Sequence, residues 1–232
     1  MVAPIPVGLI LMARPASGYK NAAGVKIPGT TTIIGRFKES GGLLQWAFKQ
    51  GQSGVAHLYE ERDKAAEAGT LAHDMIEGNI LSGYSPADYA LSLGGDAAYP
   101  KAANAFLQFL EWREQSKIEI IATERSYVSE KHQFGGTVDA IGKDMKGRIV
   151  LLDWKSSNAV YTDMLVQLAA YALLLEECAP EFTPQGFHLL RVAKESADFA
   201  HHFFGELDAA KKQFLLFREA YDLDKELKKR AA

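Results

Sequence analysis

The segment that most constrains the fold is a helix-length stretch that is apolar on nearly every side, "TDMLVQLAAYALLLEE", at 162–177. A helix without a polar face has to be buried against other elements. Three strand-like segments precede it, "KIEIIATERSYVS", "FGGTVDAIGKDM" and "GRIVLLDWKSS", and two follow it, "PQGFHLLRVA" and "DFAHHFFGEL". This order predicts an α/β core in which the helix covers a sheet. Thr162 or Asp163 is expected to cap the helix.

The chain before residue 118 has mainly helical patterns. Helices are predicted over 41–51, 53–80 and 100–116, with Gly69 as a candidate break or bend in the second, and one short helix is predicted inside the loop at 83–100. We therefore expect a helical N-terminal region at 1–117 and an α/β core at 118–232, packed as one compact unit.

Two further segments flank these helices. The turn-rich stretch and β-branched run at 17–35, "SGYKNAAGVKIPGTTTIIG", predict a hairpin. A charged helix is predicted from about residue 206. Its end, "KELKKR" at 225–230, is typical of a solvated helix end and is also a candidate for phosphate contacts.

The charge and cysteine content exclude several kinds of site. Lys and Arg number 26 against 29 Asp and Glu, a net charge of −3, so there is no overall positive field, and nucleic-acid binding would depend on local patches and metal ions. The single cysteine, Cys178, excludes an internal disulfide, an all-cysteine zinc site and a four-cysteine iron–sulfur cluster. A reducing cytoplasm fits this cysteine usage.

The N-terminal segment "VAPIPVGLILMA" raises the question of a signal peptide. It lacks a basic region before the apolar stretch and contains two prolines, so we interpret it as a buried extended arm. No apolar run approaches the roughly 20 residues that a membrane helix needs. We therefore expect a cytoplasmic protein without a membrane partner.

Candidate catalytic residues lie in "LLDWKSS", at 151–157. Residues two apart in a strand face the same side, so Asp153 and Lys155 lie together and Trp154 points away. A turn near residue 146 would pair this strand with the one that carries Asp139, which brings both aspartates to one edge. Two close carboxylates repel unless a cation lies between them, and oxygen ligands favour Mg²⁺ or Mn²⁺. Taken alone, an acid followed two residues later by lysine is also typical of an ion pair at a strand end.

A lysine beside a bound metal suits phosphodiester hydrolysis, because its ammonium can orient the attacking water or stabilise charge on the phosphate. Further polar residues accompany the pair in chain order. "GTLAH" places His73 on a helix ahead of the strands, and "QLAAY" places Gln167 and Tyr171 one helical turn apart on a single face.

This ordered set resembles the RecB-like branch of the PD-(D/E)XK nuclease superfamily. The family pattern runs GxxxH, an acidic strand residue, GxxD, DxK and QxxxY. The matching residues here are Gly69 and His73, Glu124, Gly136 and Asp139, Asp153 and Lys155, and Gln167 and Tyr171. Two positions depart from it: Val138 stands where proline is usual, and "PGTTT" at 28–32 replaces the usual Pro-Ser-Val-Thr-Thr.

The resemblance implies a restriction-endonuclease-like α/β core, a central mixed sheet flanked by helices, with a helical N-terminal region. It implies one or two Mg²⁺ or Mn²⁺ ions and, because the required cysteines are missing, no iron–sulfur cluster. By resemblance, the metal ligands are His73, Asp139, Asp153 and the Trp154 carbonyl, with Glu124 as a weaker candidate. The catalytic residues are Asp139, Asp153 and Lys155, while Gln167 and Tyr171 contact the DNA backbone or position the lysine.

The predicted function is that of a metal-dependent DNA exonuclease acting on single- or double-stranded ends in phage or prophage recombination or DNA repair. A single-strand annealing protein or a helicase is a candidate partner in trans. The alternative is a catalytically inactive DNA-end or junction-binding module of the same fold, against which the intact Asp139, Asp153 and Lys155 argue. A nucleotide-binding or transferase domain is disfavoured because no glycine-rich loop follows the first strand. The adjacent His201 and His202 are predicted to be structural, since neighbouring strand residues point to opposite faces.

Overall fold

The computed structural model describes residues 15, 17–38, 41–54, 58–157, 159–192 and 198–231, so the predicted arm at 2–13 lies outside the described residues. Helices form the first half of this part of the chain, and strands and helices share the second. A short 3-10 turn, Pro180–Phe182, follows the sixth helix. In chain order the elements are α1 (Thr30–Phe37), α2 (Gly41–Gln52), α3 (Leu58–Ser82), α4 (Pro86–Leu93), α5 (Tyr99–Ser116), β1 (Glu119–Ser129), β2 (Phe134–Lys143), β3 (Ile149–Ser156), α6 (Thr162–Cys178), β4 (Phe187–Val192), β5 (Phe199–Phe204) and α7 (Asp208–Ala231).

The strands form one mixed sheet in the order β1-β2-β3-β4-β5. Neighbours are antiparallel except β3 and β4, which are parallel and are joined through α6. A parallel pair needs a crossover of this length, which explains why the helix lies between these two strands. The predicted fold class, a mixed sheet flanked by helices with a helical N-terminal region, is confirmed. Among the described residues, no helix combines the length and the apolar character needed to cross a membrane.

The sheet separates two apolar clusters, and alternation along each strand assigns side chains to them. Leu151 and Leu189 pack on the side of α6, whereas Leu152 and Leu190 pack on the side of α3 and α5. The prediction that α6 is buried is confirmed, because nine of its residues, including Leu168 and Leu174, are buried. Each fully buried large apolar side chain contributes about 1.5–3 kcal/mol, so both clusters hold the sheet rigid beneath the polar residues at its edge.

The predicted hairpin at 17–35 is wrong in its second half. Lys20 and Lys26 do form an antiparallel bridge around a turn, but the β-branched run after it is helix α1. Ile33 and Ile34 are buried on α1, and the Thr30 hydroxyl donates to the Gly135 carbonyl at 3.1 Å. Packing against the sheet therefore overrides the β propensity of the run.

Two smaller expectations also differ. Gly69 does not interrupt α3; a Cβ there would lie 3.1 Å from the Ser156 hydroxyl oxygen, so the glycine permits a close helix–strand approach. The cap of α6 is Tyr161 in extended conformation without a side-chain hydrogen bond, not Thr162 or Asp163. Asp163 lies instead in the first turn, where a carboxylate is favoured by the helix dipole, and it pairs with Lys38 at 2.8 Å.

Candidate metal and catalytic site

The site lies where β2 and β3 separate. Their ladder runs from Lys143 opposite Ile149 to Ala140 opposite Leu152 and ends before the next residues, Asp139 and Asp153. There the backbone N–H of Trp154 donates to Oδ2 of Asp139 at 3.3 Å. The exposed fraction is 7% for Asp139 and 0% for Asp153. The structure thus brings together the two carboxylates that the sequence paired.

Three elements contribute to one cluster of ligand atoms. His73 from α3, Glu124 from β1 and Asp139 from β2 each offer an atom, and these atoms lie within 4.8 Å of one another. The His73 Nδ1 lies 3.9 Å from Asp139 Oδ2. Burial, and then the charge of Lys155, lower the pKa of His73 to about 4, so its imidazole is neutral and its lone pair is available near neutral pH. Carboxylate oxygens with one imidazole form a donor set suited to a divalent cation.

Glu124 enters this cluster through an unusual backbone conformation. Its neighbours Thr123 and Arg125 pair with Ala140 and Val138, so Glu124 faces Asp139 across the two strands. Its φ is +49°, in the left-handed region, which costs a non-glycine residue about 1–2 kcal/mol. The ladder on either side holds this strain in place, as is common at functional sites.

Lys155 and Asp153 form the second half of the site. The Lys155 Nζ lies 2.7 Å from both oxygens of Asp153, with hydrogen-bond geometry to Oδ1, and 4.0 Å from Asp139 Oδ2. Burial raises the pKa of Asp153, and the neighbouring ammonium opposes this shift. Burial would lower the pKa of Lys155, but Asp153 and Asp139 outweigh it and raise that pKa, so the ammonium stays charged.

The fit of a cation also depends on the buried Oδ2 atom of Asp153. This oxygen lies 2.7 Å from Lys155 Nζ, but in a geometry that makes no hydrogen bond, and no other described residue donates to it. A bound cation would add a second positive charge beside this carboxylate and oppose the upward shift of the Asp153 pKa. Together with the donor set of His73, Glu124 and Asp139, this oxygen fits a divalent metal.

Gln167 and Tyr171 reach the site from α6. The Gln167 Nε2 donates to the Tyr171 hydroxyl at 2.8 Å and lies 3.5 Å from Asp153 Oδ1. Burial, with Asp139 and Asp153 nearby, raises the pKa of Tyr171 well above its usual value, so it remains a neutral phenol. Gln167 and Tyr171 therefore support the Asp153 carboxylate, and their contact with DNA stays a prediction.

Trp154 points away from the carboxylates, as alternation predicts. Its ring packs edge-on to Phe109, with centroids 5.2 Å apart, and to Trp112 at 6.3 Å. The Trp154 backbone partly counteracts the lowering of the His73 pKa, which places its carbonyl near the imidazole. The carbonyl proposed as a ligand thus lies next to the proposed histidine ligand.

Sequence reasoning missed a row of hydroxyl groups beside the site. Ser126 and Thr137 pair across β1 and β2, with their hydroxyl oxygens 2.7 Å apart, and the Tyr19 hydroxyl lies 2.9 Å from that of Thr137. Ser126 and Thr137 are two residues from Glu124 and Asp139 respectively. The rule that residues two apart in a strand share a face was sufficient to find them.

The family model of the PD-(D/E)XK nuclease superfamily matches residues 43–231 of this chain. No curated protein sequence matches the chain.

Several solved structures are similar to this chain. One is that of SSO0001, with 16% identity, 64% of this chain and 70% of that chain covered, and a TM-score of 0.35. The alkaline exonuclease LHK-Exo from Laribacter hongkongensis has 11% identity, 54% and 71% coverage, and a TM-score of 0.33. LHK-Exo in complex with dAMP has 11% identity, 69% and 91% coverage, and a TM-score of 0.40.

Proposed function

The chain belongs to the PD-(D/E)XK nuclease superfamily, and from that premise we propose that it is a metal-dependent DNA exonuclease of the RecB-like branch. One observation carries the proposal. The ligand atoms of His73, Glu124 and Asp139 lie within 4.8 Å of one another, and the Asp153–Lys155 pair adjoins them, with Lys155 Nζ 4.0 Å from Asp139. A purely structural ion pair has no need of this converging set of donors.

The metal would be Mg²⁺ or Mn²⁺, one or two ions. His73, Glu124, Asp139, the Oδ2 of Asp153 and the Trp154 carbonyl are the atoms and residues that would hold it. When bound, such an ion lowers the pKa of a water molecule and stabilises negative charge on a phosphoryl oxygen.

The protein's own groups have separate roles in this proposal. The charged Lys155 orients the attacking water or stabilises the negative charge that develops on the phosphate in the transition state. Gln167 and Tyr171 fix the Asp153 carboxylate from the α6 side, because their hydrogen bonds restrict its orientation. His73 stays neutral at the working pH, so it does not add a positive charge that would repel the ion.

The preference for ends rests on the resemblance to the RecB-like branch, whose members thread a strand through a narrow passage. The helical region at 40–116 would form one wall of that passage, and α3 of this region places His73 in the site. Action on linear DNA in phage or prophage recombination or in repair, with an annealing protein or a helicase in trans, follows from the same proposal.

An assay of end-labelled linear and covalently closed circular DNA tests the function directly. Linear DNA, single- or double-stranded, should be degraded to nucleotides or short products with Mg²⁺ or Mn²⁺ and remain intact with EDTA, while closed circles survive. Asp153→Asn is the matched inactive control, because it removes one charge and little volume. Rapid nicking of circles would indicate an endonuclease. Binding of ends without any cleavage would indicate a catalytically inactive end- or junction-binding module.

A further inference from the structure

Helix α1 and the C-terminal half of α7 line an open surface groove of about 690 Å³, which we call the α1–α7 groove. Four cationic side chains line it, Arg36 from α1 and Lys225, Lys228 and Lys229 from α7, against the single carboxylate of Asp224. This local excess of positive charge stands out because the whole chain carries a net charge of −3.

The ion pairs in the groove leave two of its lysines available. Arg36 and Lys228 both pair with Asp224, Lys228 at 3.4 Å. Lys225 and Lys229 are exposed and make no ion pair with any other residue that the structure describes. A solvated helix end explains lysines on α7, but it does not explain a concave surface to which a second element contributes Arg36.

Neighbouring residues lead from this groove towards the metal site. Thr32 lines the groove, and a Cβ on Gly29 would lie 3.7 Å from the Thr32 hydroxyl oxygen and 3.0 Å from the Tyr19 ring. The Tyr19 hydroxyl in turn lies 2.9 Å from that of Thr137. Thr137 precedes Asp139 by two residues on β2, so the hydroxyl row begins beside the metal ligands.

We infer that the α1–α7 groove binds the sugar–phosphate backbone of the nucleic-acid strand whose end lies in the metal site, and that the strand passes over Tyr19. Phosphates are bound by lysine and arginine without regard to sequence, and hydroxyl side chains commonly contact phosphate oxygens. The inference rests on the proposed function, since it takes the substrate to be a nucleic acid.

The test compares two triple variants that each remove three positive charges. The groove variant is Lys225→Gln, Lys228→Gln and Lys229→Gln. The control variant, Lys117→Gln, Lys143→Gln and Lys146→Gln, changes exposed lysines near the start of β1 and the far end of β2.

Binding is measured in Ca²⁺ by fluorescence anisotropy, with single-stranded DNA of about 16 and about 4 nucleotides. The groove variant should bind the longer strand about ten-fold more weakly, and the slope of log K against log salt should fall by about 1.4, or roughly 0.7 for each of the two lysines that no ion pair occupies. The shorter strand, which offers fewer phosphates to the groove, should lose less. Equal losses in the two triple variants, or none in the groove variant, would overturn the inference.

Tyr19→Phe tests the path between the two places. It retains the ring that packs on Gly135 and removes the hydroxyl next to Thr137. Affinity for the longer strand should fall a few-fold, as expected for one lost hydrogen bond. An unchanged affinity would show that the strand does not pass over Tyr19.

The two proposals fail in different ways. If the wild type cleaves nothing in Mg²⁺ but the groove variant loses affinity in Ca²⁺, the nuclease proposal fails and the groove assignment stands. If the wild type degrades linear DNA but both triple variants bind it equally well, only the groove assignment fails.

Discussion

Two histidines in this protein have the same low pKa in very different surroundings. Burial lowers the pKa of both His73 and His188 to about 4, with a further contribution from Lys155 at the first and from His201 at the second. His73 lies beside carboxylate oxygens of Glu124 and Asp139, and the three ligand atoms are within 4.8 Å of one another. His188 instead shares a hydrogen bond of 2.7 Å between its Nδ1 and the His201 Nε2, and its ring lies 4.9 Å from that of Phe203.

The difference shows that a perturbed pKa alone does not identify a functional site. A neutral imidazole is a ligand only where anionic donors converge with it, and among the described residues the single such group contains His73. The buried Nε2 of His188 has no hydrogen-bond partner in the part of the chain that the structure describes. His73 therefore belongs to the donor cluster that we propose binds a cation, whereas His188 belongs to the packing between β4 and β5.

Asp139→Asn should have the largest effect. It removes the carboxylate shared by His73, Glu124 and Lys155, so cleavage should fall by three orders of magnitude or more, about 4 kcal/mol of transition-state stabilisation. The rise in melting temperature on adding Mn²⁺ should disappear as well. In EDTA the variant should keep a stability near that of the wild type, because Asp139 disfavours the charged form of Asp153 but favours that of Lys155, and Asn retains an oxygen for the Trp154 N–H.

His188→Gln is the control variant for the comparison between the proposed metal site and the β4–β5 packing. It changes the other low-pKa histidine, so both the Mn²⁺-dependent rise in melting temperature and the cleavage should persist. Loss of the Mn²⁺ effect in His188→Gln, or its retention in Asp139→Asn, would show that the metal site has been placed wrongly.

Lys155→Ala should separate chemistry from binding. It removes the positive charge beside the metal ligands and leaves both aspartates, so cleavage in Mg²⁺ should fall by two to three orders of magnitude, about 3–4 kcal/mol. DNA affinity in Ca²⁺ should change by no more than about two-fold if Lys155 acts mainly on the transition state. Near-normal cleavage would show that the Lys155–Asp153 contact is only an ion pair at a strand end, without a catalytic role.

The pH dependence of stability should report His188 in the absence of metal. The unfolded chain binds a proton at this residue near the usual value of 6.5, but the folded chain does so only near 4. The free energy of unfolding should therefore fall as the pH drops from about 6.5 to about 4, by at most about 3 kcal/mol, and show no contribution from His188 above that range.

Urea unfolding in EDTA at several pH values checks this expectation. His188→Gln should flatten the dependence, and His73→Gln should flatten it to a similar extent, because the pKa of both histidines is lowered to about 4 in the folded protein. An unchanged slope in His188→Gln would mean that His188 titrates normally in the folded protein.

The sheet and its covering helix were predictable from the sequence because their patterns are local and redundant. The strand-like runs of β1 to β3 and the apolar helix α6 each require burial, and one architecture, a helix packed on a sheet, satisfies both. Helix α1 was not predicted, because its β-branched residues favour a strand locally and only contacts with Gly135 and the core favour the helix.

The candidate site likewise contains residues that the sequence predicted and residues that it did not. Asp139, Asp153 and Lys155 follow from strand register and the two-residue period, so the sequence alone placed them together. Glu124 was only a weak candidate, since its left-handed backbone, with φ of +49°, has no signature in a glutamate flanked by ordinary strand residues. The basic groove was beyond sequence reasoning, because Arg36 and the α7 lysines are far apart in the chain and meet only after folding.

Tyr171→Phe should have the smallest effect and yet show how far the metal site extends beyond its ligands. The variant removes the hydroxyl that accepts from Gln167, which in turn approaches Asp153 at 3.5 Å. Loss of one hydrogen bond in a chain that ends on a charged group should lower cleavage by about ten-fold, with little change in DNA affinity.

Tyr89→Phe is the matched control for this last variant. The Tyr89 hydroxyl is also buried and donates to the Met75 carbonyl at 2.8 Å, but it lies in the helical cluster and contacts none of the proposed ligands. The two variants should lose similar stability in a thermal melt, whereas only Tyr171→Phe should lose cleavage. An equal loss of cleavage in both variants would mean that Tyr171 acts only through the overall stability of the protein. The metal site would then be limited to the residues that contact the ion directly, just as the His188 pair is limited to the two rings in contact.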